Sequence, residues 1–273
     1  MSASIIRFNN ITGRWRGLVL PALLAAGLLT SSCKETTEAV PEMGRDYYPV
    51  AVGNYWVYAV RDTIWSPANI NNQRSTPRDS TYQLRETITE TLTDAAGKPA
   101  YRLLRAKRAN ASAAWVNDSV FTLSVLPSAL VLNRGNSRTV ELIIPPKEGR
   151  SWNFNAFNNN YNDTIRAETR QFTAVAKPFT TGGGNSGLTA VTYPVTLTTA
   201  NTNAGAETSQ LRRVSYQQVY AKGIGLVFRR RVNFAFFNYT DTNSPGFPQV
   251  FPPGAYTSGF TRRETLIDYH LEN

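Results

Sequence analysis

The chain reads as an all-β protein: an antiparallel sheet of roughly ten strands, built as a single curved sheet, an open barrel or a sandwich. Three observations carry that expectation. Period-two alternation, rich in Thr, Val, Tyr and Phe, recurs along most of the chain after residue 45. Clusters of Gly, Pro, Asn and Asp punctuate the alternating stretches. No stretch of that region carries an apolar stripe at helical spacing.

In chain order, strands are expected at about 53–65, 79–94, 99–109, 114–125, 129–133, 138–144, 163–177, 188–199 and 210–221. The stretch 224–236 alternates most clearly. One face carries Ile224, Leu226, Phe228, Val232, Phe234 and Phe236, and the other Gly225, Arg229, Arg231 and Asn233. The apolar face is expected to meet the core and the polar face to be wet. Arg230 alone interrupts the apolar face, so it must be paired, at an edge or reaching a ligand. The last strand sets Thr265, Ile267, Tyr269 and Leu271 against Glu264, Asp268, His270 and Glu272. Hairpin turns are expected at Asp94 to Lys98 and at Asn133 to Asn136, each with a glycine. Residues 66–78, 153–162, 182–187, 201–208 and 240–258 read as loops. The Trp56 strand and the 224–236 strand are expected in the same core.

The first 32 residues differ in kind. Arg7, Arg14 and Arg16 precede a 13-residue apolar stretch at 17–29, followed by Thr30, Ser31 and Ser32. That stretch is short for a spanning helix, which needs about 20 apolar residues, and fits a secretory signal peptide. Leu28-Leu29-Thr30-Ser31-Ser32-Cys33 resembles a bacterial lipobox, with Thr30 where that family usually has leucine. The resemblance implies that Cys33, the only cysteine, carries diacylglycerol and becomes the acylated N-terminus, with chains such as palmitate holding the protein at the outer membrane. The expected organisation is a signal peptide over 1–32, a polar tether over 33–45 and a β-rich domain over 46–273. Lys34-Glu35 resembles short acidic signals that send some Bacteroidota lipoproteins to the cell surface; the periplasmic and surface faces both stay open. Without the three leader arginines, a net charge of +10 becomes 26 Lys+Arg against 19 acids, +7 over 241 residues.

The inventory of reactive groups is poor. One cysteine and one histidine exclude a disulfide framework and a zinc-type site. His270 falls on the polar face of its strand, away from any expected triad. Glu86 and Glu90 share a strand face, but four residues of strand separate them by about 13 Å, too far for a glycosidase pair; arginines such as Arg105 are their expected cross-strand partners. Residues 158–163 lack the acidic density of a calcium loop. Residues 182–187 lack the Lys-Ser/Thr of a phosphate loop. No cofactor is expected. The arginine runs 212–213, 229–231 and 262–263 are split over two faces by alternation, so no single run makes a patch. A secreted protein has little access to nucleic acid, which leaves anionic lipid or polysaccharide as partners for exposed arginines.

Three elements resemble a group of uncharacterised secreted lipoproteins. They are the opening Tyr47-Tyr48-Pro49-Val50-Ala51-Val52-Gly53-Asn54-Tyr55-Trp56-Val57-Tyr58, the run Pro145-Pro146-Lys147-Glu148-Gly149-Arg150-Ser151-Trp152-Asn153, and Tyr220-Ala221-Lys222-Gly223-Ile224-Gly225-Leu226-Val227. The resemblance implies no activity. Trp56, Tyr58 and Trp152 are large apolar groups with a polar handle, suited to core packing or ligand contact, and the two Gly-x-x-Trp elements at 53–56 and 149–152 are candidate local equivalents. The functional expectation is a membrane-anchored, non-enzymatic binding or envelope-assembly module. One alternative is a carrier of lipid or another hydrophobic ligand in an open barrel lined by the 224–236 apolar face. A second is a carboxylate-dependent hydrolase.

Overall fold

The computed structural model describes residues 44–67, 76–94, 97–158, 168–202 and 209–272. The signal segment, Cys33 and most of the tether lie outside them. Alternating sequence becomes strand almost wherever it occurs: β1 (Tyr55–Trp65), β2 (Pro77–Thr93), β3 (Pro99–Arg108), β4 (Val116–Val125), β5 (Ala129–Arg134), β6 (Ser137–Ile143), β7 (Ser151–Asn153), β8 (Thr169–Thr181), β9 (Val191–Asn201), β10 (Arg212–Ala221), β11 (Gly225–Phe236), β12 (Tyr239–Thr240), β13 (Gln249–Val250) and β14 (Tyr256–His270). The expected turns join β2 to β3 through Gly97 and β5 to β6 through Gly135, both at positive φ.

Twelve strands form one antiparallel sheet in the order β6-β5-β4-β3-β2-β1-β14-β11-β10-β9-β8-β7. It is two meanders, β1–β6 and β7–β11, with the last strand inserted between them. The two end strands approach each other and nearly close a barrel. Val140 N on β6 donates to Phe154 O just past β7 at 2.9 Å, and Trp152 Nε1 returns a bond to Val140 O at 2.8 Å. Arg138 N donates to Asn158 Oδ1 at 2.6 Å. These contacts satisfy backbone groups that an open sheet edge would leave free.

Strand number and one strand boundary depart from the sequence expectation. The sheet has twelve strands because β7 is too short to show alternation. The last strand starts at Tyr256, inside the expected loop 240–258, which also holds the small β12–β13 hairpin. Tyr256, Thr257 and Ser258 end a run rich in Asn, Gly, Pro and Ser and so read as loop. Gly259 is in fact a packing position, since a Cβ there would lie 2.1 Å from the Phe234 ring.

Register separates the two sheet faces. One row of directly opposed residues runs Val60, Glu264, Arg229, Gln218, Thr199, Phe172 across β1, β14, β11, β10, β9 and β8, and all six are buried. Gln218 Nε2 also reaches Glu141 Oε2 on β6 at 3.3 Å, so this face is the barrel interior. The next row, Arg61, Arg263, Arg230, Gln217, Ala200, Gln171, faces outward.

β11 is therefore the reverse of the expectation. From Phe228 onward its polar face, with Arg229 and Arg231, points into the barrel, and its apolar face points out. Phe228, Val232 and Phe234 are nevertheless buried. β8 bends at three irregularities and brings Phe179 to 5.5 Å from Phe228. Trp65 and Tyr256 lie 5.0 and 4.4 Å from Phe234. At one end of the barrel, a 3-10 turn at Arg45–Tyr47 and the residues after it form a plug. Tyr48 packs on Trp56 and Tyr220 at 5.5 and 6.2 Å, and Asp46 O accepts from Gly223 N at 2.8 Å.

Candidate binding surfaces

The interior of this barrel is charged. Arg229 Nη1 lies 2.8 Å from Glu264 and 3.9 Å from Glu86, and Glu86 is also paired with Arg105. Glu141 is 3.0 Å from Arg134 and accepts from Thr139 at 2.8 Å. Tyr220 Oη donates to Gln218 Oε1 at 2.8 Å, which links the core tyrosines to this network. Toward the opposite end from the plug, Asp62 takes two bonds from Arg262, at 2.7 and 2.8 Å, and a third from Tyr82 at 2.9 Å. Buried charge persists only when paired and hydrogen-bonded, and most of these groups meet that condition.

The pairing sets the protonation states. Burial works to raise the Glu86 carboxyl, but Arg105 and Arg229 outweigh it and hold it below the usual carboxylate range. For Glu141 burial is opposed in the same way, and Arg134 and Arg229 bring it down to about 2. Burial works to lower Arg229, yet Glu264 and Glu86 drive it well above its ordinary value. General-acid chemistry needs a carboxyl that keeps its proton near neutrality. Glu86 and Glu141 have the opposite character. Glu90 stands apart, paired with Arg102 on the exposed side. Among the described residues no group of three or more His, Cys, Asp and Glu could hold a metal ion.

A recess of about 770 Å³ lies on the outer face. Its floor includes Arg61, Gln83 and Arg263, and its walls are the β3–β4 loop at 109–111 and the glycine-rich tip of the β8–β9 hairpin at 182–188. Arg61, Arg263 and Arg230 are directly opposed on β1, β14 and β11. Among the described residues, Asp79, on Arg61, is the carboxylate paired with this row. Arg263 stacks over Phe228 at 5.1 Å, and Arg230 is exposed. Like charges directly opposite on a sheet repel, so the row favours a negatively charged occupant.

The residues singled out from sequence divide between the two faces. Trp56 and Tyr58 are core, each about 1% exposed, and donate to Ile224 O and Leu226 O at 2.6 and 3.0 Å. That contact puts the Trp56 strand and β11 in one core, as expected. Trp152 is buried at the seam, and both Gly-x-x-Trp elements place an indole N–H on a distant backbone carbonyl, Val140 O on β6 and Ile224 O in the turn before β11. Arg230 breaks an outer face rather than a core face, and solvent satisfies it. From Phe228 onward the 224–236 apolar face lies outside the barrel, whereas Leu226, opposite the interior Tyr220 beyond a β-bulge, belongs to the inner core. Sequence reading missed Arg229, Glu264, Glu141, Arg134 and Gln218. Alternation does put Arg229 and Arg231 on one face, but their acidic partners are on other strands. His270 is exposed, stacked on Tyr55 at 5.7 Å and 3.3 Å from Glu272.

The fold and surfaces define a class: a nearly closed antiparallel barrel with a charged, plugged interior and a basic outer recess. No family model matches this chain, and no curated protein or solved structure does either.

Proposed function

We propose that this protein is a non-enzymatic binding module, held at the outer membrane by acyl chains on Cys33, whose outer arginine row takes an anionic polysaccharide. The observation that supports it is the row Arg61, Arg263, Arg230: three opposed guanidiniums with one paired carboxylate, two of them on the floor of a walled recess. A polymer strand can enter such a recess, whereas a flat bilayer surface meets its walls first. The charged interior supports the same reading, since the ionised Glu86 and Glu141 leave those carboxylates without a proton to give.

Two measurements test the proposal. Cys33→Ala is expected to move the protein from the membrane pellet to the soluble fraction; retention in the pellet would overturn the anchor. Labelled polygalacturonate is expected to bind in fluorescence anisotropy while neutral dextran does not. Replacing Arg230 and Arg263 together with Gln should weaken binding by about tenfold and flatten its salt dependence. Equal binding of dextran, or an unchanged double variant, counts against the recess.

A further inference from the structure

The interior pairs leave one cation over. Each of the inward arginines described above has a carboxylate within 4 Å, and so does Arg170, which is paired with Glu168. Arg231 has none. Its Nε is shielded from solvent and makes no hydrogen bond, and neither does the buried hydroxyl of Tyr216, whose ring lies 5.6 Å from the Arg231 guanidinium. The residue directly opposite Arg231 is Arg262, whose counter-charge, Asp62, is engaged through both of its oxygens. Burial pulls Arg231 below its ordinary pKa, which is the direction expected of an uncompensated cation.

Arg231 does not face a packed wall. It lines a cavity of about 540 Å³ at the end of the barrel away from the plug. Asn233, Thr257, Ser258 and the Arg262–Asp62 ion pair share its polar side, and Ile64, Trp65 and Phe260 form an apolar side. Ile64 is 49% exposed there, on the inner row beyond Asp62. The volume is in the range of small-molecule sites, which combine apolar walls with a few convergent polar groups.

We infer that the barrel mouth binds an amphiphilic monocarboxylate, its head on Arg231 and Asn233 and its apolar body against Ile64, Trp65 and Phe260. The charge count selects a monoanion, because Arg262 is already neutralised and one positive charge remains. The planar guanidinium matches a carboxylate through two parallel hydrogen bonds. This site is on the opposite face of the sheet from the arginine row and is independent of it.

The test is isothermal titration and thermal melting of the full chain with decanoate below its micellar concentration, alongside decanol, acetate and inorganic phosphate. Decanoate is expected to bind and raise Tm, with decanol and phosphate at least tenfold weaker. Arg231→Met should lose decanoate binding at least tenfold and keep or raise the unliganded Tm, since it removes an unpaired enclosed charge. Ile64→Ser, at an exposed position, should weaken decanoate at least threefold and leave acetate unchanged, which keeps the test decisive where R231M does not fold. Arg230→Gln should change nothing here. Decanol binding as well as decanoate, phosphate binding more tightly, or unchanged decanoate affinity in R231M or I64S would each overturn the inference.

Discussion

Gly225 shows how a single residue is constrained by a distant strand. Its φ is +110°, and a Cβ there would lie 2.9 Å from Trp56 Nε1. Trp56 in turn donates to Ile224 O, so the indole occupies the space the glycine leaves. Gly225→Ala is expected to cost about 1–3 kcal/mol through backbone strain and overpacking. Urea denaturation checks this, with an unchanged midpoint as the contrary result. The positions of the glycine and of Trp56 were both visible in the chain, and Trp56 was a candidate for core packing or ligand contact. Their contact was not, because 168 residues separate Trp56 from its acceptor.

At the scale of elements, the barrel depends on a short strand. β7 has three residues, yet Trp152 within it is buried, packs on Phe172 at 5.0 Å and donates to Val140 O. Trp152→Phe keeps most of the packing and should cost about 1 kcal/mol for the lost hydrogen bond. Trp152→Ala should cost about 3–5 kcal/mol. Hydrogen exchange should localise the effect, with the Val140 amide losing protection in W152A before the central β1 and β14 amides do. Uniform loss across the sheet would mean that the seam is not a separate element. β7 escapes sequence reading because three residues cannot establish a period. β11 was easy to find and was assigned the wrong inward face, because alternation distinguishes two faces without saying which is inside. Here β8 and the Trp65–Tyr256 aromatics cover the apolar side, and the carboxylates of β2 and β14 meet the polar side.

For the whole molecule, the interior charges predict the response to acid. Glu141 is held at about 2 against an ordinary value of 4.5, so it binds its proton more readily when unfolded. Its contribution is therefore complete above the unfolded value and disappears as pH falls from about 4.5 toward 2. A shift of that size corresponds to about 3 kcal/mol. Glu86, also lowered, acts in the same direction. The urea midpoint should be flat from pH 6 to 8 and fall steeply below about 4.5. Glu141→Gln should be less stable at pH 7 and show a shallower acid slope. An identical slope in E141Q would show that Glu141 is not the group responsible.

From its own pattern the chain specified an all-β, antiparallel fold, most strand positions, two hairpin turns and a core shared by Trp56 and the 224–236 strand. These follow from local alternation and turn chemistry, which neighbouring residues set. Closure of the sheet, the inversion of β11, the paired interior charges and the unpaired Arg231 arise only when strands far apart in sequence are brought into register. Cross-strand neighbours decide whether a charged residue meets water, a partner or an empty cavity, and alternation along one strand carries no information about them.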